Sequence, residues 1–301
     1  MARQEILDRI QKYVDPFRIT KAKGFRLKDF DPGDTRGLKL DKGEAAELLQ
    51  RGIAWLAEEQ NILYAQDRWS LLLVFQALDA AGKDGTIEHV MSGLNPQGVT
   101  VTSFKQPSSV ELAHDFLWRT QLALPARGRI GVFNRSHYEE VLVVRVHPEY
   151  LGGQGIDPQR GRGKALWRAR FQDISTWERH LVRDGTRVVK FFLDVSRDEQ
   201  RKRFLARADE TAKNWKFSAG DVEEHFHYGA YQDAYEEALR ATSTKDAPWY
   251  VIPADHKWFM RTAVAAILVH HLETMDPQFP ELESDAEMRD AVALLEAEPD
   301  A

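Results

Sequence analysis

One stretch constrains this chain more than any other. It runs Ser70-Leu71-Leu72-Leu73-Val74-Phe75-Gln76-Ala77-Leu78-Asp79-Ala80-Ala81-Gly82-Lys83-Asp84-Gly85-Thr86. The apolar run predicts a buried strand over Ser70–Phe75, and the small-residue turn after it leads into a helical pattern at Ile87, Val90, Met91 and Leu94. Strand, tight loop and helix form the setting in which backbone N–H groups and a helix N-terminus can converge on phosphate. The expected phosphate cradle is Ala80, Ala81, Gly82, Lys83, Asp84, Gly85 and Thr86, with Lys83 adding a full positive charge. The spacing departs from the common G-x-x-x-x-G-K-[ST] pattern, because Ala77 replaces the first glycine and Asp84 the hydroxyl residue. Asp79 inside the loop would repel phosphate unless a cation or a proton intervenes, so it is read as a metal site.

The surrounding chain fits a large α/β unit. A length of 301 residues with 43% hydrophobic and 29% charged residues is globular. Without cysteine, disulfides and thiolate metal sites are excluded. The first fourteen residues are charged throughout, and no run reaches the length of a membrane span. A cytoplasmic protein with no membrane partner is the expectation. The net charge of −6 is uneven: Asp276–Ala301 holds nine acids against one base, Arg289, which leaves a body close to +2. Such a body can carry a basic cleft.

Strands are expected at Ser70–Phe75, Val99–Phe104, Arg129–Asn134, Val188–Val195 and Trp249–Pro253. Helices are expected near Met1–Asp15, Gly43–Gln66, Lys83–Gly93, Ser109–Leu124, Ser136–His147, Ala165–Arg183, Arg197–Ala208, Ala219–Ala241 and Lys257–Thr274. This alternation predicts a parallel five-stranded sheet in a three-layer α/β/α sandwich, with ligands at the carboxyl ends of the strands. The organisation reads as an N-terminal arm (1–40), a phosphate-loop domain (41–275) with a helical lid near 197–221, and an acidic tail (276–301). The arm is either ordered over the domain or a disordered leader. Tyr150–Lys164, rich in Gly, Arg and Lys, reads as a mobile loop.

Two further places carry chemistry. The third strand ends in Asn134 and Arg135, with Glu139 and Glu140 just beyond, so Arg135 and Lys83 could share one positive pocket. The lid segment offers Arg197, Arg201, Arg203, Arg207, Lys213 and Lys216, with Trp215 among them. Arg203 and Arg207 share a helical face and are expected to act together, with Arg201 serving another phosphate or the acceptor. The histidines lack metal-ligand spacing and read as structural.

The segments LDAAGKDGTIEHVMSGLNPQG, GRIGVFNRSHYEEVLVVRVHP, DEQRKRFLAR, NWKFS and APWYVIPADHKW, in this order, resemble the polyphosphate kinase 2 family. The match is to its one-domain branch, which accepts nucleoside mono- and diphosphates, and it runs from about Phe25 to Leu272. The resemblance implies a P-loop kinase fold and reversible, magnesium- or manganese-dependent transfer between inorganic polyphosphate and AMP, ADP and ATP, with guanine nucleotides as further acceptors. It implies catalytic roles for Asp79, Lys83, Arg135 and Glu139, with Asp79 the metal ligand. Donor phosphate would be held by the loop and by Arg201, Arg203 and Arg207. The nucleotide would be held by Asn134, Arg135, Glu139, Lys213, Trp215 and Lys216. Homo-oligomer formation is also a family trait. Two other readings stay open on the residues alone: an ATP-dependent nucleotide kinase of the same fold, and a non-enzymatic polyanion binder. No nucleic-acid motif supports nucleic acid as the partner.

Overall fold

Every residue from Ser70 to Gln76 is buried, as a strand covered on both faces must be. It forms β1 (Ser70–Ala77), the centre of a five-stranded sheet with β2 (Val99–Ser103), β3 (Ile130–Asn134), β4 (Thr186–Asp194) and β5 (Trp249–Pro253). The order is β2-β3-β1-β4-β5, and all four pairings are parallel. The structure, a computed structural model, describes residues 3–20, 23–211, 214, 218–281 and 285–297.

The described helices are α1 (Arg3–Val14), α2 (Lys42–Gln66), α3 (Lys83–Met91), α4 (Ser109–Leu112), α5 (Trp118–Gln121), α6 (Val143–Val146), α7 (Lys164–Arg183), α8 (Arg197–Asp209), α9 (Ala219–Phe226), α10 (Tyr228–Thr242), α11 (Lys257–Met275) and α12 (Asp285–Glu296). α2, α3 and α11 pack together on one side of the sheet, and α7 packs on β4 and α10 on the other. This is the expected three-layer sandwich. After β1 the chain builds β2 and β3 to one side, then crosses to β4 and β5 on the other. The carboxyl end of β1 therefore lies at the topological switch point, where a crevice opens.

Sequence periodicity misplaced several elements. Ser109–Leu124 is two single turns, α4 and α5, because the Asp115 carboxylate accepts the Leu117 N–H at 3.0 Å and closes a local turn between them. Ser136–His147 is a 3-10 stretch, His137–Val141, followed by the short α6. Ala219–Ala241 breaks at His227 into α9 and α10. The segment expected to be mobile, Tyr150–Lys164, is structured as two 3-10 runs, Pro148–Gln154 and Pro158–Arg162. Leu151 is fully buried, and the Trp167 indole donates to the Gly161 carbonyl at 2.8 Å. Gly161 is required there, since a Cβ would sit 2.8 Å from the Pro148 Cβ.

The arm is ordered where it is described. Phe17 packs edge-on against Phe259, the Ile19 N–H donates to Trp249 O at 3.0 Å, and Leu27 N–H donates to Glu236 at 2.9 Å. With Arg18 bridging Tyr250, the arm covers the free edge of β5. In the tail, α12 leaves Leu294 and Leu295 exposed.

Candidate active site

The loop between β1 and α3 has an unusual backbone. Ala80 has φ +63° and Gly82 φ +107°. A non-glycine residue in that region is uncommon and strained. Among the described residues no acceptor takes the N–H of Ala80 or of Gly82, and both residues line a cleft of about 1000 Å³. Free N–H groups beside the start of α3 form an anion-binding concavity.

Lys83, at the first position of α3, is buried, and its ammonium donates to Ala77 O at 2.7 Å at the tip of β1. Burial is the main force lowering its pKa, and the neighbouring Arg135 charge adds to it against Asp79. Asp84 is exposed and accepts from the Asn134 amide at 2.7 Å. Thr86 and Ala81 are fully buried and lie beneath the cleft. The Thr86 hydroxyl donates to Gly82 O at 2.9 Å, so the side chain braces the turn.

Opposite stands the tip of β3. Arg135 also has a left-handed backbone, φ +63°, with its N–H on Phe75 O at 3.0 Å. Its guanidinium pairs with Asp79 at 2.6 Å and Glu139 at 3.3 Å. The Glu139 charge is the largest influence raising the Arg135 pKa, with burial opposing it. Glu139 also accepts from Gln76 at 2.9 Å, a fully buried amide near the end of β1. Asp79, Arg135 and Glu139 thus form one ionic wall in the cleft that Lys83 also lines.

A buried cluster fixes that wall from behind. The Tyr138 hydroxyl donates to Glu178 at 2.7 Å, and Lys190 of β4 is ion-paired to the same carboxylate and donates to Thr242 O at 2.9 Å. A lysine this deep needs such partners, and their geometry pins the segment that carries Glu139.

The lid residues divide. Arg207 lines the cleft, lies 5.5 Å over the Phe204 ring and pairs with Asp221 at 3.4 Å. Arg201 is exposed and does not line the cleft. Arg203 is buried and fully engaged: it donates to Ala81 O at 2.7 Å, Ala80 O at 3.2 Å, Ala254 O at 2.7 Å, Asp255 O at 2.9 Å and Glu199 at 2.8 Å. Arg203 and Arg207, expected to act together, both line the cleft, but their surroundings differ: Arg203 is buried with its donors on carbonyls and Glu199, and Arg207 is partly exposed and pairs with Asp221. Lys213, Trp215 and Lys216 lie outside the described residues.

Sequence reasoning missed Arg119 and Gln154, which line the same cleft, and Arg170 behind them, all grouped about Glu140. Arg119 donates to Lys105 O at 2.7 Å and lies 5.4 Å over Phe104. Glu140 accepts from Gln154 at 2.6 Å and its carbonyl accepts from Arg170 at 2.7 Å. Burial raises the Glu140 pKa, against Gln154 and Arg170. Arg119 and Gln154 sat in segments read as plain helix and mobile loop. Their only signal was polar side chains in otherwise apolar surroundings.

The family model of polyphosphate kinase 2 matches residues 39–280. The chain belongs to the polyphosphate kinase 2 family. Among curated relatives it is 54% identical to an ADP-polyphosphate phosphotransferase of Rhodopseudomonas palustris, over 78% of this chain and 81% of that one. It is 44% identical to an AMP/ADP-polyphosphate phosphotransferase of Meiothermus ruber, over 90% and 97% of the two chains. The crystal structure of polyphosphate kinase 2 from Arthrobacter aurescens TC1 superposes with a TM-score of 0.84 at 39% identity, covering 93% of this chain and 96% of that one. No helix among the described residues is long and apolar enough to cross a membrane.

Proposed function

We propose that this chain moves a phosphoryl group reversibly between inorganic polyphosphate and adenine nucleotides, taking AMP to ADP and ADP to ATP. The observation that carries the reading is one cleft lined by free loop N–H groups, Lys83 and the Asp79–Arg135–Glu139 wall. Phosphoryl transfer requires little covalent chemistry from the protein, so in-line placement and neutralisation of charge carry the rate. The loop amides hold the phosphate being transferred, and Lys83 lies at hand to neutralise it. Arg135 binds phosphate beside the acceptor, and Glu139 serves the monophosphate acceptor. Arg207 extends the basic surface along which a polymeric donor lies, with Arg261 also lining the cleft.

The same reading includes a divalent metal, magnesium or manganese. The donor set fits it: Asp79 presents a hard carboxylate oxygen at the cleft. Among the described residues no group of three or more His, Asp or Glu gathers as a cage. Magnesium is commonly held by one or two carboxylates together with substrate phosphates and water. Bound there, the metal would screen charge on the reacting phosphates. Guanine nucleotides as further acceptors, a homo-oligomer and a cytoplasmic location belong to the same proposal.

The test is incubation of purified protein with polyphosphate, magnesium and AMP, with no ATP added, and separation of the products. ADP followed by ATP is expected. Nucleotide that stays AMP until ATP is supplied would assign the chain to ATP-dependent nucleotide kinases, and no turnover with either donor would leave a polyanion binder.

A further inference from the structure

Three consecutive carbonyl oxygens of the phosphate loop are bound from one helix. The Gln200 amide donates to Asp79 O at 3.0 Å, and Arg203 donates to Ala80 O at 3.2 Å and to Ala81 O at 2.7 Å. Gln200 and Arg203 are three apart on α8 and so share a face. Both are buried. We propose that Gln200 and Arg203 are positioning residues of this reaction, which set the backbone of the phosphate loop and do not themselves contact phosphate.

The chain has no cis peptide bond among its described residues, and in a trans peptide the C=O and N–H of one plane point opposite ways. A donor fixed on Asp79 O turns the Ala80 N–H away from α8, and one fixed on Ala81 O does the same for Gly82 N–H. Neither of these N–H groups has an acceptor among the described residues. The middle plane is held at both ends, since Ala81 N–H donates to Leu78 O at 3.3 Å. The left-handed conformation at Ala80 is strained and persists only where its surroundings over-determine it. Three carbonyl contacts from α8 supply that constraint.

Both residues are themselves held. The second guanidinium nitrogen of Arg203 reaches Ala254 O and Asp255 O, so one side chain ties the loop to the turn after β5. Glu199 takes its remaining donor, the Nε–H, one turn back on α8. The Gln200 carbonyl pairs with Nδ1 of His225 at 2.7 Å, which fixes the amide orientation and links α9 to the loop. The first two turns of α8 are therefore floor, and any segment that closes over substrates begins beyond Arg203.

This inference rests on the proposed phosphate-binding role of the loop, and its test has a readout independent of turnover. Gln200→Ala, Arg203→Lys and Arg203→Ala are compared with wild type for kcat and KM of polyphosphate transfer, and for binding of inorganic tripolyphosphate by calorimetry at two ionic strengths. Lysine keeps the charge but cannot span two pairs of carbonyls. Gln200→Ala and Arg203→Lys should each lower kcat about tenfold and weaken tripolyphosphate by a similar factor at both ionic strengths. The combined variant should lose less than the product of the two, because both act on one loop. A wild-type response for Gln200→Ala, with Arg203→Lys near wild type and Arg203→Ala flattening the salt dependence, would make Arg203 a phosphate ligand and overturn the proposal. If Arg203→Ala does not fold, the other two variants still decide. A wild-type protein without turnover would sink the functional reading, while the binding comparison would still test the floor.

Discussion

Two arginines reach the cleft from opposite sides, and their acceptors differ in kind. Arg203 spends its donors on four neutral carbonyls and one carboxylate, is buried, and joins three segments of backbone. Arg135 pairs with two carboxylates, Asp79 and Glu139, and its side chain keeps 38% of its exposure. The carbonyl acceptors have no other use, whereas both carboxylates are groups that a metal or an acceptor would claim. The α8 side is thus a fixed floor and the β3 side an exchangeable wall. Residue type alone does not separate these roles; the acceptors do.

Breaking the loop itself should have the largest effect. Lys83→Ala removes the loop's own cation, and a single such group is worth about 2–4 kcal/mol in a transition state. Turnover should fall by about thirty- to a thousandfold, with thermal melting little changed. A variant that keeps more than about a tenth of wild-type turnover, a change below roughly 1.4 kcal/mol, would remove the loop from the chemistry.

The wall is the next target. Asp79→Asn keeps the shape but loses the charge that pairs with Arg135 and that a hard cation would use. The rate should drop about ten- to a hundredfold, with part of it restored by raising magnesium. Loss without any rescue, at unchanged substrate affinity, would instead make Asp79 the base that orients the acceptor.

The smallest effect belongs to the rim. Arg207 is partly exposed and ion-paired to Asp221, so its contribution is screened by salt. Arg207→Ala should raise the polyphosphate KM by about fivefold, or about 1 kcal/mol, at low ionic strength and little at high. Equal kinetics at both ionic strengths would leave the basic rim without a part in donor binding.

Much of this arrangement was legible in the sequence. The buried run at β1, its small-residue turn and the alternation of strands and helices led to the sheet and to the correct edge of it. Asp79, Lys83, Arg135 and Glu139 do converge there. Three kinds of feature were not legible. Helical period cannot reveal a break made by one side chain, such as Asp115 between α4 and α5. A glycine-rich stretch looks mobile until Leu151 is seen in the core. An arginine on a basic helix gives no sign of whether it faces phosphate or a backbone carbonyl, so Arg203 was grouped with Arg207 although their surroundings differ.

The comparison between floor and wall is tested most directly by a crystal structure of the protein with inorganic tripolyphosphate, AMP and magnesium. Arg203 should remain within hydrogen-bond distance of Ala80 O, Ala81 O, Ala254 O and Asp255 O, while Arg135 leaves Asp79 and takes phosphate. Arg203 on phosphate with the loop carbonyls released, or Arg135 still locked to Asp79 beside bound substrates, would contradict it.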